Sequence, residues 1–172
     1  MKVAAFLDWH DGTDTRHELV DGVIVAVPVR SGHYSIIVAN VACEVARRSR
    51  ARLAGLVAAG LVLSADTCVL VDVAATRETF GPKQLMREPF LLAEVLSPTT
   101  RRDDLGLKVP AYQEIASVRE IWAVDSEERS VRVWRRSGEE WINAPPVRAG
   151  RFRSEALGGE VGVDELYADT GL

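Results

Sequence analysis

The sequence is poor in the features that mark several specialised protein classes. Its 172 residues include two cysteines, Cys43 and Cys68, which lack metal-site spacing and cannot make a disulfide framework. Both fall in apolar context, which predicts buried, reduced thiols. There is no excess of positive charge. The formal net charge is -4, which argues against a chain coated for non-specific nucleic-acid binding but permits a local basic groove. There is no long apolar run either. The longest, Leu53 to Leu63, falls short of a membrane span. The apolar run before Asp8 is too short for a signal-peptide core. These absences predict a soluble cytoplasmic protein with no membrane partner. No glycine-rich phosphate loop, zinc spacing or nucleophile elbow is present. Without an internal repeat or a low-complexity linker, residues 1–172 read as one domain, long enough for a substantial core.

The elements that are present alternate between strands and helices. "RHELVDGVIVAVPV" reads as a hairpin with Asp21-Gly22 at its turn. Ser31 is placed to cap a helix through "GHYSIIVANVACEVARRSRAR". There Tyr34, Ile37, Val38, Val41 and Val45 recur at helical spacing, with Asn40, Glu44, Arg47 and Arg48 on the other side. Strands are predicted near Leu56–Leu63, Thr67–Ala75 and Phe90–Leu96, with a loop over Thr76–Glu88. A helix capped by Asp103 or Asp104 follows, carrying Leu105, Val109, Tyr112 and Ile115, with Pro110 in its first turn. "EIWAVDSEERSVRVWRR" predicts another hairpin and "EEWINAPPV" one more strand. The tail reads as a short helix after a glycine-rich loop. The order is that of a mixed α/β domain, with Phe90–Leu96 at the sheet centre because it is apolar at nearly every position.

Three carboxylates stand in or at the start of apolar strands: Glu18, Asp72 and Glu94. Alternation puts Glu94 on one face with Leu92 and Leu96, against Leu91, Ala93 and Val95 on the other. If the Asp72 strand is its neighbour, the two carboxylates approach each other, and a close pair ionises cheaply only beside a cation. Mg²⁺ or Mn²⁺ would resolve that conflict through oxygen ligation. Lys108, on the following helix, is placed to turn back toward the strand end, where it offsets phosphate charge or positions water. Glu18 is either a further metal ligand or the group that holds Lys108.

These residues resemble a known family. "RHELVDGVIV", His33, "VDVA" around Asp72, "LLAEVLSPTTRRDDLGLKVPAYQEI" and "REIWAVDSEERSVRVWRR" follow in order the pattern of the Uma-two family of restriction endonuclease-like proteins, from about Arg16 to Tyr167. The resemblance implies a PD-(D/E)XK nuclease fold, a central mixed β-sheet flanked by helices. It also implies metal-dependent phosphodiester hydrolysis, a DNA substrate and a homodimer. By position Asp72 takes the place of the motif aspartate, Glu94 that of the second acid and Glu18 that of the preceding acid. Lys108 takes the place of a displaced motif lysine. Two positions depart from the pattern: Val71 stands where proline is usual, and Leu96 where the lysine usually stands.

Other readings of the same residues remain open. The acids could be satisfied by Arg101, Arg102 and Lys108 in a structural core edge, or the chain could bind nucleic acid or protein without turnover. Arg101 and Arg102 could instead line the site, and with Arg47, Arg48, Arg50 and Arg52 they could contact phosphates. His33 is either a site-lining residue or a polar group at a helix start. Tyr112 reads as core.

Overall fold

The computed structural model describes residues 1–48, 54–82 and 84–172. After a short helix α1 (Val3–Phe6), strands β1 (His17–Val20) and β2 (Val23–Ala26) form the expected hairpin. Asp21 and Gly22 at its turn have φ of 49° and 79°, the left-handed pair that a two-residue turn needs to match strand twist. Helix α2 (Gly32–Arg48) starts where Ser31 Oγ accepts the Tyr34 N–H at 3.2 Å. Its apolar stripe is buried as periodicity predicts. Glu44 departs from the expected polar face: it is buried and held by Arg47 and by Arg48 Nε, the latter at 2.8 Å. Arg50 and Arg52 lie outside the described residues.

Strands β3 (Ala54–Val62), β4 (Cys68–Thr76) and β5 (Pro89–Leu96) follow, then a helical crossover to β6 (Glu120–Asp125). The chain continues through β7 (Val131–Ser137) and β8 (Glu140–Asn143). The sheet order is β2-β1-β4-β5-β6-β7-β8, with β3 also paired to β4. Among the strands of the described residues β5 and β6 alone pair in parallel, as a helical crossover between adjacent strands requires. The sheet is therefore mixed, with β5 central and all but one of its residues buried. One face packs on α2, on a hairpin of β9 (Arg151–Ser154) and β10 (Gly159–Gly162), and on α5 (Val163–Leu166). The β9–β10 hairpin was not anticipated from sequence. The other face packs on the crossover helix through Val109 and Tyr112. The two cysteines part company: Cys68 is buried, its thiol pushed up to about 11 by burial and then by Glu18, whereas Cys43 is exposed.

The crossover helix differs from expectation in a way that matters for the site. It begins at α3 (Arg101–Asp103), widens into a π-turn over Asp104–Lys108 and continues as α4 (Val109–Gln113). Thr100, not an aspartate, holds the N-cap position, and Asp104 lies buried inside the helix. Pro110 explains the wide turn. It has no N–H to give the Gly106 carbonyl, and its ring would clash there in a regular α-turn. Arg136 closes the far end by donating to the carbonyls of Gln113, Ile115 and Val118.

Strands β3 and β4 share a second irregularity. Val69 and Val71 face the crossover helix, but Val73 and Ala75 face α2. Strict alternation would keep all four on one side, so β4 switches faces at Asp72. On β3 the residue opposite, between the Val57↔Val73 and Ala59↔Val71 pairs, is Ala58, with φ of 49°. A left-handed alanine costs roughly 1–2 kcal/mol, and glycine forfeits about 0.5–1 in chain entropy. Ala58→Gly is therefore expected to raise the unfolding free energy by up to about 1 kcal/mol, and Ala58→Val to lower it. Denaturant unfolding checks both, and a loss of stability in Ala58→Gly would show that the backbone is not strained there.

Candidate active site

Along one edge β4 pairs with β3. Its other edge is divided, with β1 at Cys68 and β5 only from Val73 to Thr76. Between them the strand forks, and polar side chains occupy the gap. Glu18 Oε1 accepts the Leu70 N–H at 2.8 Å, and Lys108 Nζ donates to the Leu70 carbonyl at 3.1 Å. Asp72 Oδ2 accepts the Val95 N–H at 2.8 Å. The face switch accounts for this last contact: Asp72 belongs to neither packed face, so its carboxylate lies toward β5. Carrying the β4–β5 register one step past Val73↔Ala93 sets Asp72 opposite Glu94.

Lys108 is the centre of the cluster. Its ammonium lies 3.0 Å from Glu18, 3.6 Å from Glu94 and 3.7 Å from Asp104. Glu94 is 2% exposed, and the Tyr112 hydroxyl donates to its Oε1 at 2.5 Å. Burial holds the Glu94 carboxyl well above the usual range; Lys108 opposes this in part, while Asp72 and Asp104 add to it. Burial also raises Asp104, again partly offset by Lys108. For Lys108, burial disfavours the charge, but Glu94, then Glu18 and Asp104, outweigh it and hold its pKa above the ordinary lysine range. Lys108 is thus an ammonium at neutral pH, a fixed positive charge rather than a base.

The cluster opens into a cleft of about 980 Å³ lined by Glu18, Asp72, Lys108, Arg30 and Tyr34, with an otherwise largely apolar wall. The structure therefore brings Glu18, Asp72, Glu94 and Lys108 together. It does not bring Arg101, Arg102 or His33 to them. Arg101 is paired with Asp125 at the end of β6, and Arg102 is exposed on the helix. His33 is half-buried in the first turn of α2, outside the cleft lining. Tyr112 is core as read, and a donor to Glu94 as well. Asp104 was missed because it reads as a helix cap, and Arg30 and Tyr34 because no local pattern ties them to β4.

Among the described residues, no three His, Cys, Asp or Glu side chains form a ready-made metal cage. Four carboxylates, Glu18, Asp72, Glu94 and Asp104, nevertheless gather near Lys108 and Arg30, and Arg16 and Asp14 line the same cleft. The donors are all oxygen and the surplus charge is negative. That fits a Mg²⁺-like ion, which is commonly held by one or two carboxylates with water and phosphate completing its shell.

A mixed sheet with this acid and lysine cluster at a strand fork has the restriction endonuclease-like architecture. The solved structure of a "putative nuclease belonging to DUF820" from Anabaena variabilis superposes with a TM-score of 0.73 over 98% of each chain, at 16% identity. An uncharacterized protein of Synechocystis sp. (strain PCC 6803) is 22% identical over 168 residues, covering 94% of this chain and 88% of that one. The family model described as "Uma2: Putative restriction endonuclease" matches residues 3–163. The chain belongs to the Uma2 family, which supports a nuclease-like function.

The raised Glu94 pKa has a testable sign. The unfolded chain releases this proton near 4.5 while the folded chain keeps it, so the stability it contributes is lost as pH rises through the folded value. Wild type is expected to lose stability relative to Glu94→Gln as pH rises from 4.5 toward the raised folded value, because the amide carries no charge to bury. Urea unfolding across that window checks it. A pH-independent difference between the two proteins would contradict a buried, raised carboxyl.

Proposed function

We propose that the chain is a Mg²⁺- or Mn²⁺-dependent nuclease that hydrolyses phosphodiester bonds in DNA. The observation that carries this reading is the pair Asp72 and Glu94, set opposite each other at the β4–β5 fork beside a half-buried ammonium and an open cleft. Asp72 and Glu94 would hold the ion, which would polarise the scissile phosphate and lower the pKa of a bound water. Tyr112 fixes the Glu94 carboxyl by donating to Oε1. Lys108 supplies fixed positive charge where negative charge develops on the phosphate. Glu18 acts through Lys108: its Oε1 is engaged by the ammonium and by the Leu70 N–H, which favours a holding role over metal ligation. A two-fold dimer that reaches both strands of a duplex belongs to the same reading, and a dimer mass by light scattering is its expected sign.

One observation favours a second reading, a nucleic-acid-binding module without turnover. The Glu94 carboxyl is closed in by Lys108 and Tyr112, and it is buried. Metal titration and cleavage separate the two. Calorimetry is expected to show Mn²⁺ binding by wild type that is lost in Asp72→Asn and Glu94→Gln. With Mn²⁺, wild type is expected to nick plasmid DNA, and Lys108→Gln to slow the reaction about 100- to 1,000-fold. Equal Mn²⁺ binding by all three titrated proteins would overturn the ligand assignment. Metal binding without cleavage would favour the second reading.

A further inference from the structure

The cleft needs a cation that can grip a substrate phosphate, and Lys108 is poorly placed to do so. An ammonium has three donors, and this one already faces Glu18, Glu94, Asp104 and the Leu70 carbonyl. Arg30 is different. It lines the same cleft, is half-buried where Arg16 on the same cleft wall is exposed, and makes no ion pair among the described residues. Both of its hydrogen bonds use Nη1, to Ser97 Oγ at 3.1 Å and Thr100 Oγ1 at 3.4 Å. The rest of the fork is left for another acceptor. Its guanidinium carbon stands 4.8 Å from the centre of the Tyr34 ring, which fixes its plane. Tyr34 is 5% exposed, lines the cleft, and its hydroxyl is buried without a hydrogen-bond partner. Burial raises the pKa of that hydroxyl, and Asp72 raises it further, by its charge and by a hydrogen-bonding contact looser than the geometry of a full bond. The contact with Asp72 leaves this buried donor under-satisfied, which costs up to about 1–3 kcal/mol, so a ligand oxygen seated beside Asp72 can accept from it.

We propose that Arg30 and Tyr34 form a phosphate-binding subsite on the cleft wall beside Asp72. The guanidinium takes two non-bridging oxygens of a phosphate ester, and the Tyr34 hydroxyl donates to the same group. The subsite rests on the nuclease reading for its purpose, seating a strand's phosphate next to the ion-binding acids, but not for its chemistry. Ser97 and Thr100 follow β5 directly, so their hold on Arg30 couples the subsite to the Glu94 strand. Planar, two-point recognition is what distinguishes arginine from lysine here.

The test uses the full chain and deoxythymidine 5′-monophosphate as the probe, titrated by calorimetry without metal. Wild type is expected to bind. Arg30→Ala is expected to weaken binding at least about tenfold, Arg30→Lys to restore part of it, and Tyr34→Phe to weaken it several-fold. Tyr34→Phe should change the melting temperature little, because no well-formed hydrogen bond is lost. No binding by wild type, or wild-type binding by both Arg30→Ala and Tyr34→Phe, would overturn the subsite. Mn²⁺-dependent cleavage is scored separately, and there Arg30→Ala should raise KM more than it lowers kcat. Cleavage with KM unchanged in Arg30→Ala refutes the subsite and leaves the nuclease reading standing. Probe binding through Arg30 and Tyr34 with no cleavage by wild type supports the subsite and refutes the nuclease reading.

Discussion

The site depends on one ammonium group held in acidic, nearly closed surroundings. Lys108 links four segments at once: Glu18 from β1, the Leu70 carbonyl from β4, Glu94 from β5 and Asp104 from its own helix. Breaking a buried charge pair by removing one partner typically costs about 3–5 kcal/mol. Here one removal strands several carboxylates, so the lysine is structural before it is functional. The same enclosure sets its chemistry. Surrounded by negative charge, it keeps its proton, and what it offers a reaction is a fixed field rather than proton transfer.

Two irregularities make that arrangement possible, and each breaks a local rule at the same end of the sheet. Pro110 forces the wide turn over Asp104–Lys108 and so fixes how the lysine is presented. The left-handed Ala58 and the face switch opposite it turn Asp72 out of both packed layers and toward β5. A regular strand would give Asp72 to one face, where the core would bury it or solvent would take it. Backbone strain tends to persist where surrounding structure over-determines it, commonly at functional sites. Here the β3–β4 ladder, paired on both sides of Ala58, supplies that constraint.

Much of this was legible in the chain because its strands and helices keep their periods. The Asp-Gly turn, the α2 stripe and the alternation of Glu94 with Leu92 and Leu96 all follow from side-chain spacing, and each is found where that spacing puts it. What could not be read depends on contacts distant in sequence. Asp104 looks like a helix cap until the helix is seen to begin earlier, at Arg101. Arg30 and Tyr34 join the site only because α2 packs across β4. The β9–β10 hairpin is short and half-exposed, and glycines at the start and end of β10 weaken its alternation. Glu44 reads as a surface residue because the arginines that satisfy it stand beside it on the same helix.

Leu96 then takes on a different meaning. It shares a face with Glu94, is 5% exposed, and packs in the cluster that holds Val109 and Tyr112. A lysine at that position would have to carry its charge into this apolar layer, at the cost of either the packing or the proton. The crossover helix avoids that conflict. It brings Lys108 in from above the strand, its stem passing the core edge and its ammonium meeting three carboxylates. The strand position is thereby released to close the core, while the cation still reaches Glu94. Moving the lysine from strand to helix keeps the charge relationship and changes only the element that delivers it. That is why the departure at Leu96, taken alone, does not argue against a working site.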